Sequence, residues 1–193
     1  MANWTSTAYA IEGEHEVLQK IYDAIIASEN NSDGNKPETE VLSNLGIEYR
    51  GFKINEQPYD LRGAILPESW WWDENTGALR FAAEEAWGVS DFKDVLLKDY
   101  PDLKIFYVVE EGNDDVYATN DAEGKYFPDR FFVDTCIDGE YKCDYFKTKE
   151  AAFEWISMIS DCQTEEDIDY FNDERAMADM DDFISVHEFS VIE

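Results

Sequence analysis

Residues Leu79 to Tyr117, LRFAAEEAWGVSDFKDVLLKDYPDLKIFYVVEEGNDDVY, mark their own element boundaries. The opening segment reads as a strand that ends near Trp87-Gly88. Ser90 is a good N-cap residue, because its side-chain oxygen can accept a backbone N–H of the first turn. Phe92, Val95 and Leu96 then recur at helical spacing on one face. Tyr100-Pro101 closes that helix, since the residue before proline is pushed out of the helical region. Lys104 to Glu111 is a strand, Gly112-Asn113 a tight turn, and Asp114 to Thr119 a returning strand. A helix joining two strands must bury its apolar stripe on their sheet, which predicts an α+β layer architecture. The stretch is a scaffold and carries no catalytic group.

The remaining chain extends the pattern. Asn3 to Ile11 alternates as a strand, with Thr5, Thr7, Tyr9 and Ile11 on one side and Trp4, Ala8 and Ala10 on the other. Val17, Leu18, Ile21 and Ile25 give Glu14 to Ser28 an apolar helical stripe. Glu29 to Lys36 is a polar loop, and Pro37 to Leu45 a short helix bounded by proline and Gly46. Ile47 to Ile54 and Tyr59 to Leu66 read as strands, and Ser69 to Trp72 with Ala78 to Ala83 as a hairpin around DENTG. Lys125 to Cys136 and Tyr141 to Phe146 flank Asp138-Gly139, the usual centre of a two-residue turn. With the two strands before them they predict a four-stranded antiparallel meander. Thr148 caps a helix to Ser160, Thr164 with Asp167 starts another, and Phe183 to Ile192 reads as a final strand. The expected fold is a ferredoxin-like β-α-β core with an antiparallel meander sheet and helices packed on one face. That domain spans 1–160, and an acidic helix/strand extension, 161–193, packs on it.

Two regions resemble a known family. Met1-Ala2-Asn3-Trp4 running into Ile11-Glu12-Gly13, and Ala86-Trp87 followed by a short helix, Tyr100-Pro101 and Glu110-Glu111-Gly112, are similar to YubB-type ferredoxin-like proteins. The resemblance covers the first 28 residues and 79–117. It implies a ferredoxin-like fold and a home on plasmids, phages or integrated elements. It implies no activity and supplies no catalytic residue.

Charge separates the function classes. The chain carries 45 acidic and 15 basic residues, a formal charge of −30. Residues 161–193 hold twelve of the acids and one base, Arg175. Binding to DNA, RNA or an anionic membrane needs lysine and arginine clusters, so direct contact with any of these is excluded as a function class. No apolar run reaches the ~18 residues of a membrane span, and the N-terminus has no basic-then-apolar leader, so a cytoplasmic protein is expected. In the Asp138-Gly139 hairpin Cys136 faces Tyr141 and Cys143 faces Asp134, leaving the two thiols ~7 Å apart on the diagonal, too far for a disulfide. Free thiols are expected.

Catalytic and metal chemistry find little support. His15 lies near a helix start and His187 among acids in the last strand, neither beside a recognisable nucleophile, and no hydrolase or nucleotide-binding motif occurs. Asp167-x-Asp169 runs into Phe171 where an ordered calcium loop needs a third ligand. No enzyme, cofactor or metal is expected; a carboxylate-and-metal hydrolase would need a pocket of converging acids. The triplet Trp70-Trp71-Trp72 differs, because consecutive strand residues face opposite sides and at least one should point outward on a one-sided sheet.

Two readings of the acidity remain. In one, Asp114, Asp115, Asp121, Glu123, Glu165, Glu166, Asp167, Asp169, Asp173, Glu174, Asp179, Asp181 and Asp182 imitate phosphates. They would block a basic nucleic-acid-handling host protein, such as a restriction or CRISPR nuclease, with Trp70, Trp71 and Trp72 as anchor. In the other, the charge serves solubility, and the tryptophan surface binds a protein co-encoded on a plasmid or phage.

Overall fold

A computed structural model describes residues 3–47, 61–86, 88–178 and 180–192. The chain forms two compact units, 1–116 and 117–193. The class is α+β, with five helices and mostly antiparallel strand pairs among the described residues.

The first unit runs β1 (Trp4–Glu12), α1 (His15–Ala27), β2 (Lys36–Pro37), α2 (Glu38–Asn44), β3 (Gly63–Ile65), β4 (Trp71–Trp72), β5 (Leu79–Ala86), α3 (Phe92–Asp99) and β6 (Lys104–Glu111). Its sheet has the order β6-β1-β5-β3-β2, every pair antiparallel, and β4 also pairs with β5. β5 and β6 alternate buried with more open positions, and β1 does so except at Ala10, which is buried too. Thr5, Thr7, Tyr9 and Ile11 of β1, Leu79, Phe81, Ala83 and Glu85 of β5, and Ile105, Tyr107, Val109 and Glu111 of β6 are all buried. Leu18, Ile21 and Ile25 of α1 and Phe92, Val95 and Leu96 of α3 supply the helical side of the core. Such alternation fixes register, because a one-residue slip would turn every inward side chain out.

β7 (Val116–Thr119) leads into the second unit: β8 (Phe131–Ile137), β9 (Glu140–Phe146), α4 (Lys149–Ile159), α5 (Glu165–Met177), β10 (Phe183–Glu188) and β11 (Ser190–Val191). Its separate sheet has the order β10-β8-β9, while β11 pairs with β7 in parallel. Phe131, Val133, Ala152, Ile156, Cys162, Ile168 and Ile184 form one core, so α4 and the acidic α5 share it.

Most predicted elements are present within a few residues, and the Asp138-Gly139 hairpin has the expected register. Cys136 pairs with Tyr141 and Cys143 with Asp134, both turn residues have positive φ, and all three thiols are free. The four-strand meander does not run through. β8 lies between β9 and β10, and its strand begins only at Phe131. The cause is Asp121, whose carboxylate accepts the N–H groups of Lys125 (3.0 Å), Tyr126 (2.6 Å) and Phe127 (2.9 Å) and holds them in a loop. The last predicted strand is likewise split, at Phe189, into β10 and β11. The predicted strand over 47–54 lies, past Ile47, outside the described residues; of the described part of Tyr59 to Leu66, 63–65 forms a strand.

Asp121 is therefore a buried loop clasp, and its charge is not presented at the surface. Burial works to raise its pKa, but the N–H bonds of Phe127, Tyr126 and Lys125, with Arg130 nearby, bring it below the usual range. A lowered carboxyl contributes stability above its unfolded pKa and loses it as pH falls through the folded value. Asp121→Asn should cost about 1–3 kcal/mol in chemical denaturation, because the amide offers one accepting oxygen to three N–H groups.

Candidate functional site

The unusual chemistry of the first unit is a pair of buried carboxyls. Inward alternation along β5 carries Glu85 into the core, and Glu38 enters from the first turn of α2. Both have no solvent exposure. Glu85 Oε2 accepts the Thr7 hydroxyl at 2.5 Å and Oε1 the Tyr9 hydroxyl at 2.6 Å. Glu38 Oε2 accepts the hydroxyl of Ser90 at 2.5 Å. The same Ser90 oxygen accepts the N–H of Phe92 at 3.1 Å, so the expected helix-capping residue also holds the acid. The Glu38 carboxyl also packs against Gly63 and acts on Glu85 as a close neighbour.

Glu38 Oε1 has no donor among the described residues. Two ionised carboxylates in contact repel, whereas one proton held between them satisfies both. Glu38 carries that proton. Burial, and then the neighbouring Glu85 charge, raise its pKa well above the ordinary 4.5, against the opposing effects of Ser90 and Gly63. Burial, followed by the charge of Glu85, likewise pushes up the Tyr9 hydroxyl, which stays a donor.

Gly63 is needed for this packing. A Cβ there would lie 2.5 Å from both Cδ and Oε1 of Glu38. The Glu38 side chain is fixed by Ser90 and Glu85 and has nowhere to swing. Gly63→Ala should therefore cost about 1–3 kcal/mol through overpacking. Gly63→Ala combined with Glu38→Ala should recover part of that loss in thermal melts.

The sequence-singled residues are distributed differently. Trp72 packs against His15 and Tyr22, each ring 5.5 Å away. Trp70 is partly buried and lies beneath the Lys36 ammonium. Trp71 is the outward member, 48% exposed, with the Arg80 guanidinium 5.4 Å from its ring centre. Asp114 and Asp115 are exposed in the turn after β6, and Glu123 is exposed in the Asp121 loop. Asp182 is buried and ion-paired with Arg175 at 3.4 Å, so like Asp121 it is withdrawn from the surface. Asp181 is exposed, and Asp179 lies outside the described residues.

The densest exposed array is α5. Thr164 and Asp167 form a reciprocal capping box at its start, the arrangement their spacing predicts. Its inward face is Ile168, Phe171, Asn172 and Arg175, and Asn172 clamps both backbone groups of Ile184 at 2.9 Å. Glu166, Asp169, Tyr170, Asp173 and Met177 form the opposite stripe, all exposed. Glu165 is ion-paired with Lys149 at 2.6 Å, and Glu174 accepts the Tyr170 hydroxyl at 2.6 Å. The helix holds Glu165, Glu166, Asp167, Asp169, Asp173 and Glu174 in 13 residues. Of these six, Glu166, Asp169 and Asp173 lie on the outward stripe, ~4.5–6 Å apart along the helix axis.

No family model, curated protein or solved structure matches the chain. Its chemistry must therefore be read from the residues themselves. Among the described residues no group of three or more His, Cys, Asp and Glu is placed to hold a metal ion, and no helix is long and apolar enough to cross a membrane. A one-proton carboxyl pair can serve general acid–base chemistry only if it touches a substrate. Glu38 and Glu85 are sealed from solvent, so their proton acts on the fold. The acids of α5, in contrast, face solvent. Thr164 with Asp167 located the start of that helix; nothing in the sequence marked Glu38.

Proposed function

We propose that this protein is a non-enzymatic acidic interaction protein that occupies the basic nucleic-acid site of a host nuclease. The observation that carries the reading is the outward stripe of α5, where Glu166, Asp169 and Asp173 alternate with exposed Tyr170 and Met177. A face that served only solubility would not need a 64% exposed tyrosine and an 87% exposed methionine among its acids. Tyr and Met are enriched in protein interfaces, where they supply contact area within a charged rim. Outward carboxylates in one stripe would steer the protein to a basic groove and hold it there.

The first unit is read here as ferredoxin-like. Taking β1-α1-β3-β5-α3-β6 as the core, the order β6-β1-β5-β3 with all neighbours antiparallel is that of a split β-α-β fold. This supports the YubB-type resemblance and the mobile-element setting it implies. A second reading, an accessory domain for a co-encoded plasmid or phage protein, is favoured by the half-exposed Trp71.

The test is binding of a basic nuclease in competition with duplex DNA. The mimic reading expects displacement of DNA that weakens with salt. Salt-insensitive binding lost with Trp71→Ala would support the accessory reading instead.

A further inference from the structure

The edge of the second unit's sheet carries a separate message. β9 lies last in the order β10-β8-β9, so β8 is its one partner among the described residues. Glu140 to Tyr145 are all exposed, on both faces of the strand. Tyr141 is 59% exposed. Natural proteins shield such edges with charged side chains, prolines, bulges or a covering element, and of these β9 carries only charges, Glu140, Lys142 and Asp144. The strand EYKCDYF has no proline, and Glu140 through Phe146 pair with Ile137 through Phe131 without a bulge.

The hairpin register fixes which backbone groups face out. The two-residue turn makes Ile137–Glu140 a hydrogen-bonded pair, so alternate residues 140, 142, 144 and 146 bond to β8. Tyr141, Cys143 and Tyr145 therefore direct their N–H and C=O groups to the open edge. The Tyr145 N–H is held by the neighbouring Asp144 carboxylate at 2.8 Å, a local bond that an added strand would replace.

The sequence of this edge is complementary to itself. Antiparallel pairing about Cys143 is the register that matches all seven residues of the strand with a copy of themselves. It sets Lys142 opposite Asp144 of the partner subunit, and Tyr141 opposite Tyr145 of the partner subunit. Opposite charges and aromatic pairs are the favourable cross-strand combinations. A chain of −30 would repel a copy of itself at most surfaces. Here Asp144 of each copy meets Lys142 of the partner subunit, and Glu140 is ion-paired with Lys142 of its own strand at 3.2 Å.

We propose that β9 is a dimer interface, joining two copies of this chain edge to edge about a two-fold axis at Cys143. The six backbone groups of Tyr141, Cys143 and Tyr145 in each copy would then be bonded across the axis. Cys143 would face its counterpart at ~5.5 Å between Cα atoms, within disulfide range.

Sedimentation velocity on the full chain should show a reversible dimer. Lys142→Glu and Asp144→Lys, each placing like charges opposite one another, should each weaken it roughly tenfold or more. An equimolar mixture of the two variants restores opposite charges at both positions and should form a heterodimer. In a Cys136→Ser background diamide should link Cys143 to Cys143: two thiols lose two electrons and two protons to diamide, which becomes the hydrazine. Cys162 is buried and should not react, and adding Cys143→Ser should abolish the cross-link. All the variants alter exposed or half-exposed residues, so circular dichroism should match the wild type. A monomer without cross-link, single variants that stay dimeric, or a mixture that stays monomeric would each overturn the proposal.

Discussion

Glu85→Gln should lower the stability of the fold by about 2–4 kcal/mol, while Glu38→Gln should raise it near pH 8 by about 1 kcal/mol. The asymmetry follows from the donors. Both Glu85 oxygens accept hydroxyls, from Thr7 and Tyr9. An amide NH₂ in either place meets a donor and leaves two buried polar groups unpaired. Glu38 has the opposite need. Its Oε2 accepts from Ser90, and its Oε1 needs a hydrogen to give. Glutamine supplies that hydrogen permanently, with no proton to lose.

The pH dependence separates this account from simple loss of a charge. The folded-state pKa of Glu38 is raised above the unfolded value. Its contribution is therefore fully present below about pH 4.5, the unfolded pKa, and is lost as pH rises through the folded value. Wild-type stability should fall along this alkaline limb, and Glu38→Gln should flatten it. The acid limb has the reverse sign. Asp121 is depressed despite its burial, so it loses its contribution as pH falls, and Glu38→Gln leaves that limb unchanged. Tyr9 and Tyr107 face the pair from β1 and β6, and burial raises both, so they stay protonated across the neutral range. Urea denaturation of wild type and both variants between pH 5 and 9 reads the difference. Equal slopes for wild type and Glu38→Gln would show that the proton is not held on Glu38.

The second large effect concerns the surface. Glu166→Lys, Asp169→Lys and Asp173→Lys together should weaken binding to a basic partner by about a hundredfold or more, since like charges at an interface cost several kcal/mol. These three are chosen because their neighbours do other work. Asp167 caps the helix, Glu165 pairs with Lys149, and Asp182 pairs with Arg175. Folding stability should change by about 1 kcal/mol or less, chiefly from the lysine in the first turn. Isothermal titration against the same partner, with melting temperatures recorded alongside, separates lost binding from lost fold.

Much of the scaffold was legible because single residues act locally. Asp138-Gly139 set a turn, and the turn set the register that places Cys136 and Cys143 apart. Thr164 with Asp167 announced the capping box of α5. Period-two alternation along β5 also points Glu85 into the core. With Thr5, Thr7 and Tyr9 inward on β1, that was a readable sign of a buried polar cluster.

Other features depend on chain segments far apart in sequence. Glu38 follows Pro37 at a helix start, where an acid is ordinarily solvated. Its burial depends on Gly63 and Ser90, which local pattern does not connect to it. The meander expectation failed for a related reason. Tyr126 and Phe127 carry strand-like side chains, but Asp121 offers the N–H groups of residues 125–127 a closer acceptor than a neighbouring strand, and Pro128 has no N–H to give one. The tryptophan triplet resolved by strand alternation and packing, with Trp72 inside and Trp71 outward.

The most direct test of the functional account is displacement of labelled duplex DNA from a panel of basic restriction and CRISPR nucleases, followed by fluorescence anisotropy. The account predicts displacement from at least one enzyme, weakening as salt is raised, and lost when Glu166, Asp169 and Asp173 are replaced by lysine. Displacement that persists in that triple variant, or none from any enzyme of the panel, would contradict it.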